Sequence, residues 1–250
     1  MILFTGDIHG QHDIHKLTPE RWRFGQLLTK DDYLIVCGDF GCVWKNDEKD
    51  KKLQEWLKEQ PWTTLFIDGN HENHSLLKQY PVEIWNGGKI HKINDSIFHL
   101  MRGQVFEIDG YKVFTYGGAY STDRYHREEN LDWWKDEIPT KWEEQEAIKN
   151  LNRHNNEVDI IITHDIPQTV QNELWFLPKR KFVGTFEKVY GVNYVNPRET
   201  YKYFEENVVF KHWFMGHMHE DWKVETNNRT YHLLFNDIIG LNKKEENPQD

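Results

Sequence analysis

The stretch LFIDGNHE, residues 65–72, changes from apolar to polar within eight positions. Its first half is a short apolar run of the kind that forms a buried strand. The apolar run is followed two residues later by Asn70, His71 and Glu72. This combination is not typical of an ordinary turn. We therefore interpret the stretch as a strand whose end carries functional side chains.

The same pattern occurs at four other places in the chain. A short apolar run ends in Gly or Thr and is followed directly by Asp, Asn or His. Loops beyond the carboxyl ends of strands line the ligand crevice of α/β sheets, so we expect all five segments to converge on one site. The four other polar ends are residues 6–10, 38–39, 163–165 and 216–219.

Amphipathic stretches separate these strand ends. Residues 47–60 place apolar side chains on one helical face, and Pro61 stops the pattern. Thr140 and Glu143 form a capping-box pattern ahead of another helix, and residues 199–207 predict a third. Strands and helices in alternation predict an α/β core.

Two hairpin signals interrupt the alternation. Asp109-Gly110 separates residues 104–108 from residues 111–116, which is a strong two-residue turn signal. Asn227-Asn228 separates residues 222–225 from residues 231–235 in the same way. Part of the sheet structure is therefore expected to be antiparallel.

Composition excludes several classes of protein. The 31 basic and 41 acidic residues give a net charge of −10, whereas non-specific nucleic-acid binders show a basic stripe. The longest apolar run, residues 33–37, is too short for a transmembrane helix, and the N-terminus lacks the pattern of a signal peptide. Cys37 and Cys42 fit a reducing cytosol better than a disulfide framework. We expect one cytoplasmic domain over residues 1–242, with a polar tail over residues 243–250.

The side chains at the strand ends point to metal chemistry. Carboxylate, imidazole and amide groups are ligands for divalent metals. Bound divalent metals would also invert the local field of an acidic surface and so admit an anionic substrate. Two cations close together can clamp the attacking and leaving oxygens of a phosphate ester and lower the pKa of a water between them.

In chain order the five ends read Asp-x-His, Gly-Asp, Gly-Asn-His-Glu, His and Gly-His-x-His. This order resembles the calcineurin-like metallophosphoesterases, and the resemblance runs from Asp7 to His219. It implies a mixed α/β fold, a β-sandwich of two mixed sheets flanked by helices. It also implies two divalent metal ions, with Mn²⁺ expected first and Fe, Zn, Ni or Co also compatible with nitrogen and oxygen ligands.

The resemblance assigns a role to each strand-end residue. Asp39 would bridge both metals, and His71 would stand beside the leaving group as a proton donor. The alternative for His71 is a supporting role outside the reacting atoms. The remaining ligands would be Asp7, His9 and His219 for the first metal, and Asn70, His164 and His217 for the second.

The sequence departs from the protein phosphatases of that family after the second strand end. Those enzymes carry Gly-Asp-x-x-Asp-Arg, but Cys42 and Val43 stand at the last two positions here. The phosphate-binding guanidinium is therefore missing, and Arg124 or Arg127 could replace it. The alternative for these arginines is a surface ion pair with a neighbouring carboxylate.

Weaker candidates flank the site. Trp133 and Trp134 could stack on a nucleobase or pack in the core. His12 and His15 could line the cleft or be exposed, and the basic cluster at residues 179–181 could attract an anion or be solvated.

The leading hypothesis is a metal-dependent phosphoesterase acting on a small phosphorylated substrate. The missing arginine favours a phosphodiester of nucleotide type, because a dianionic monoester gains more from a fixed cation. The alternatives are a phosphomonoesterase, a nuclease and a non-catalytic scaffold with this fold. Neither a membrane nor nucleic acid is expected as a partner, and the oligomeric state is left open.

Overall fold

Two β-sheets form the frame of the protein. A computed structural model describes residues 1–174 and 186–242. The strands in these residues are β1 (Ile2–Thr5), β2 (Tyr33–Val36), β3 (Thr63–Phe66), β4 (Val82–Trp85), β5 (Gly88–Asn94), β6 (Ile97–Leu100), β7 (Gln104–Ile108), β8 (Tyr111–Tyr116), β9 (Ile160–Thr163), β10 (His212–Met215), β11 (Trp222–Thr226), β12 (Arg229–Leu233) and β13 (Ile238–Leu241).

Both sheets are mixed, as the sequence predicts. The seven-stranded sheet has the order β13-β1-β2-β3-β6-β5-β4, and the six-stranded sheet has the order β11-β12-β10-β9-β8-β7. Strands β1, β2, β3 and β6 run parallel at the centre of the first sheet. Strands β8, β9, β10 and β12 do the same in the second. Antiparallel strands complete the edges, and both predicted hairpins are present.

Helices connect the strands, and their ends follow the capping signals. The Asp47 side chain accepts hydrogen bonds from two backbone N–H groups at the start of α1, and the predicted capping box of Thr140 and Glu143 starts α3. The helix predicted from residue 199 begins two residues earlier, because Asn196 caps it. The helices are α1 (Glu48–Glu59), α2 (His74–Leu77), α3 (Lys141–Arg153), α4 (Gln168–Glu173), α5 (Phe186–Tyr190) and α6 (Pro197–Asn207), with 3₁₀ turns at Ile14–Leu17, Arg23–Leu27, Arg124–His126 and Lys135–Glu137.

None of the helices in the described residues has the length and apolar character needed to span a bilayer. The expected polar tail at residues 243–250 and the basic cluster at residues 179–181 lie outside the described residues.

The central core lies between the two sheets. Phe4 of the first sheet stacks on Phe214 of the second, with ring centroids 3.7 Å apart. Both belong to a buried cluster that combines side chains from the two sheets. Two further clusters lie on the outer faces, one including Leu57 of α1 and the other including Leu151 of α3 and Phe204 of α6. The protein is therefore a β-sandwich flanked by helices, as expected.

The carboxyl ends of the parallel strands lie at one edge of the sandwich. β1, β2 and β3 end there in one sheet, and β9 and β10 end there in the other. The stacked core between the sheets holds these ends close together. All five polar segments of the sequence begin at this edge.

A buried ion pair connects this edge to α6. The Arg198 Nε and Nη2 atoms donate to the Asp165 carboxylate at 2.7 and 2.9 Å. Burial raises the pKa of Asp165, but the Arg198 guanidinium outweighs it and lowers the pKa to about 2. The folded pKa lies below the ordinary aspartate value of 3.8, so the pair stabilises the protein above pH 3.8 and loses this effect as the pH falls towards 2.

We predict that Arg198→Met lowers the free energy of unfolding by about 3 kcal/mol at pH 7, since it leaves a buried carboxylate unpaired. Urea denaturation measures this change, and the variant should also show a weaker loss of stability between pH 4 and pH 2. Lys202→Ala is the matched control, because Lys202 pairs with Glu206 on the exposed face of the same helix. An equal effect of the two substitutions would contradict this role of Arg198.

Candidate metal centre

The strand ends bring six His and Asp side chains of the predicted ligand set together, with His71 beside them. The donor atoms form three groups, and within each group all of them lie within 4.8 Å of one another. Asp39 belongs to two of the groups and connects them. The groups are Asp7, His9 and His219; His9, Asp39 and His71; and Asp39, His164 and His217.

Asp39 occupies the middle of this arrangement and is almost fully buried. Its Oδ1 atom accepts a hydrogen bond of 2.7 Å from the backbone N–H of His71 and lies 3.3 Å from His164 Nε2. Its Oδ2 atom lies 3.3 Å from His9 Nε2. The two oxygens therefore face different histidines, as a carboxylate shared by two cations requires.

Asp7 and His217 carry polar atoms that the protein itself does not satisfy. Asp7 Oδ1 accepts a hydrogen bond of 2.9 Å from the backbone N–H of His217. Asp7 Oδ2 and His217 Nε2 are buried and have no hydrogen-bond partner among the described residues, although His219 Nε2 lies 3.0 Å from Asp7 Oδ2. Buried polar atoms are normally hydrogen-bonded. The donor set thus fits metal ions, which would bind these two atoms.

The backbone at this edge adopts conformations that few residues accept. Asp39, His9, His217 and His219 all have positive φ angles, between 40° and 69°. Non-glycine residues rarely adopt this region, and such strain concentrates at functional sites.

Two glycines leave the space that the metal centre needs. A Cβ atom on Gly38 would collide with the His164 ring, and one on Gly69 would collide with the Asp39 carboxylate. Gly38 also has a φ angle of +95°, which favours glycine. The Gly-Asp and Gly-Asn-His-Glu patterns therefore need their glycines for close packing.

The buried carboxylates raise the pKa of two histidines in the centre. Burial alone would lower the pKa of His164, but Asp39 and Asp7 outweigh it and raise the pKa to about 10. For His9, burial is again outweighed, chiefly by Asp39, and the pKa rises to about 9. Metal binding at these imidazoles would therefore release protons, since a ligating histidine is neutral.

A buried chain of hydrogen bonds orients the Asn70 amide. Glu137, when ionised, accepts hydrogen bonds from the Ser121 hydroxyl at 2.6 Å and from the Ser121 N–H at 3.0 Å. The hydroxyl proton is then committed, so Ser121 Oγ accepts from the Asn70 amide nitrogen at 3.1 Å. This turns the Asn70 carbonyl oxygen towards His164 Nε2, 3.2 Å away. Tyr190 also donates to Glu137 at 2.5 Å and fixes the carboxylate from the other side.

We predict that Ser121→Ala weakens the binding of one metal ion about tenfold, because residues that orient ligands contribute this much to metal affinity. Calorimetric titration of the metal-free protein with Mn²⁺ measures the change. Ser75→Ala, at an exposed serine of α2, is the matched control. Titration curves that match the wild type for both variants would show that Ser121 does not position Asn70.

Of the two candidate arginines, the structure places Arg127 against His71. Its Nη2 atom lies 3.0 Å from His71 Nδ1 and also donates to Asp123 at 2.7 Å. Arg127 therefore forms the ion pair with a neighbouring carboxylate and also lies beside the centre, while phosphate binding by Arg127 stays a prediction. Burial lowers the pKa of His71, and Arg127 adds to this against the opposing effect of Asp39. Arg124 lies over the ring of Tyr125.

Three other residues named in the sequence analysis, Cys42, Trp133 and Trp134, are buried in the structure. Cys42 is a free cysteine buried in the apolar cluster that includes Leu57 of α1, so it serves as a small core residue. Trp133 and Trp134 are both buried, which favours core packing over an exposed stacking surface. Beside Trp134, the Trp44 indole is half-exposed, and the two rings meet edge to face at 5.4 Å.

Sequence reasoning missed Trp44, Ser121 and Glu137. It also missed Asp13, whose carboxylate accepts from His9 Nδ1 at 2.8 Å and fixes that ring. The spacing of Asp13 four residues after His9 is a signal that could have been found. The link between Glu137 and Asn70 has no local signal, because Asn70 and Ser121 are 51 positions apart.

Comparison with known proteins gives consistent matches. The family described as calcineurin-like phosphoesterase matches residues 1–221. Lariat debranching enzyme A of Xenopus laevis is 24% identical over 62% of this chain and 31% of its own length. The lariat debranching enzyme of Entamoeba histolytica is 23% identical over 75% of this chain and 48% of its own length. The chain therefore spans about a third to a half of the length of these relatives.

Among solved structures, a putative 5'-nucleotidase from Staphylococcus aureus aligns with 95% of this chain and 49% of its own, at 14% identity and a TM-score of 0.49.

Proposed function

Because the chain belongs to the calcineurin-like phosphoesterases, we propose that it hydrolyses phosphodiesters of nucleotide type at a centre of two divalent metal ions. The observation that carries the proposal is Asp39, whose two oxygens face the two histidine groups of the site. The four curated relatives, all named lariat debranching enzymes, support a diester over a monoester.

The ligand assignment follows the three groups of donor atoms. Asp7, His9 and His219 would hold one ion, and Asp39 would be shared by both. His164 and His217, with the Asn70 carbonyl oxygen, would hold the other. When bound, such a pair of ions neutralises phosphate charge and lowers the pKa of a water between them.

The chain's own residues would then bind and orient the substrate. Arg127 would donate to a non-bridging phosphate oxygen, as guanidinium geometry permits. His71 stands beside it and would donate a proton to the departing oxygen. The negative charge of a bound phosphate favours the protonated imidazole, which is the form that can donate.

Mn²⁺ is our first choice of metal, because its coordination accepts both the carboxylates and the imidazoles of this centre.

The reducing cytosol is the compartment we propose. Two buried and free cysteines, Cys37 and Cys42, support it.

A phosphomonoesterase is the second candidate function. The observation that favours it is Arg127, which restores a fixed guanidinium near the centre although Val43 stands at the position of the phosphatase arginine. A dianionic monoester would gain more from this cation than a diester would.

We predict faster Mn²⁺-dependent hydrolysis of bis-(p-nitrophenyl) phosphate than of p-nitrophenyl phosphate, with both activities abolished by EDTA. Release of nitrophenol measures both rates side by side. Faster hydrolysis of the monoester would support the phosphatase instead, and Arg127→Ala should then lower that rate. Turnover of neither substrate would overturn both proposals and favour a non-catalytic scaffold.

Two substitutions separate metal binding from proton transfer. Asp39→Asn should lose metal and activity together, because it removes the charge at the middle of the centre. His71→Ala should retain metal and lower kcat by about 10²-fold or more, which is typical for loss of a general acid. Metal content by mass spectrometry and kcat on the diester measure the two effects, and equal metal loss in both variants would refute the role of His71.

A further inference from the structure

A groove of about 360 Å³ joins the candidate metal centre on the side of α1. His9 and His71 line it where it meets the centre, and Trp44, Lys45 and Lys49 are among the residues that line the remainder. Its volume lies in the range of small-molecule binding sites. A substrate that reaches the centre past His71 would therefore extend into this groove.

The Trp44 indole is fixed in place as one wall of the groove. Its backbone N–H donates to Asp50 at 2.8 Å, and its carbonyl oxygen accepts from the Asn73 amide at 2.6 Å. Its ring packs against the buried ring of Trp134, and the side chain remains half-exposed. An aromatic surface held in this way is suited to stacking on a nucleobase.

The two lysines supply positive charge at the rim. Both Lys45 and Lys49 are exposed, and the described residues place no carboxylate in an ion pair with either. Asp47 and Asp50 also line the groove, and the Asp47 carboxylate lies close enough to both lysines to interact with their charges. Asp50 accepts hydrogen bonds from the N–H groups of residues 44–46, and Asp47 caps α1. Because backbone N–H groups hold both carboxylates, the exposed ammonium groups of Lys45 and Lys49 can turn towards an anionic group in the groove.

We propose that the groove binds the leaving nucleoside of a phosphodiester, with its base on Trp44 and a second phosphate near Lys45 and Lys49. The assignment rests on the proposed function, since it takes His71 as the proton donor to the leaving oxygen. The substrate class is then a short oligonucleotide. A cyclic nucleotide has neither a separate leaving nucleoside nor a second phosphate.

The stacking role is tested with Trp44→Ala on two diesters. The substrates are a diadenosine monophosphate, in its 2′,5′- and 3′,5′-linked forms, and the same diester with an abasic ribose in place of the leaving adenosine. We expect kcat/KM to fall about tenfold on the dinucleotide that the wild type cleaves, consistent with the loss of one base–aromatic stack. The rate on the abasic diester should change less than about twofold, because it lacks the stacked base. Trp142→Ala, at an exposed indole of α3, is the matched control.

The lysines are tested with the double substitution Lys45→Ala and Lys49→Ala. The substrates are the same dinucleotide without and with an added phosphate at its 5′ or its 3′ end. Wild type should prefer one of the two phosphorylated forms about tenfold, as a charge-assisted contact would give, and the double variant should lose this preference. Lys52→Ala, on the exposed surface of α1, should keep it.

The outcomes separate this assignment from the proposed function. If the wild type hydrolyses the chromogenic diester but Trp44→Ala shows no selective loss on dinucleotides, the groove assignment is overturned. The same holds if the wild type shows no preference for a phosphorylated form. In both cases the proposed phosphodiesterase activity stands. No metal-dependent turnover of any diester overturns both. Selective losses in both variants, with unchanged controls, support an oligonucleotide substrate.

Discussion

The structure depends on one buried carboxylate. Asp39 lies at the edge where the parallel strands of both sheets end, and burying a charge there is costly unless partners compensate it. His9 and His164 compensate it through their ring nitrogens, and the backbone N–H of His71 donates to it. Its own carbonyl oxygen accepts from the backbone N–H groups of Ile8 and His9. Segments from three strand ends are thus tied to a single residue.

This constraint explains the backbone around the centre. Asp39 reaches its position only with a φ angle of 48°, and His217 with one of 69°. Such conformations persist where the surrounding structure fixes them. The stacked core between the two sheets, with Phe4 on Phe214, supplies that rigidity directly beneath the strand ends. Precise ligand positions follow from a rigid sheet edge more readily than from free loops.

Patterns of neighbouring residues predicted much of the fold. They predicted few of the side chains that hold the site residues in position. The Asp109-Gly110 turn and the capping box at Thr140 depend on neighbouring residues, and both are present as expected. The contact between Arg127 and His71 joins residues 56 positions apart, so no local pattern reveals it. Trp133 and Trp134 had two open interpretations, and only packing could decide between them.

The central claim is that Asp39 is shared by two metal ions, and Mn²⁺ binding followed by electron paramagnetic resonance tests it most directly. The metal-free protein is titrated with Mn²⁺, and bound ions are counted by equilibrium dialysis. The account predicts two ions per chain and the spectrum of an exchange-coupled pair, because one carboxylate connects them. A single ion per chain, or two ions with the spectra of isolated Mn²⁺, would contradict it.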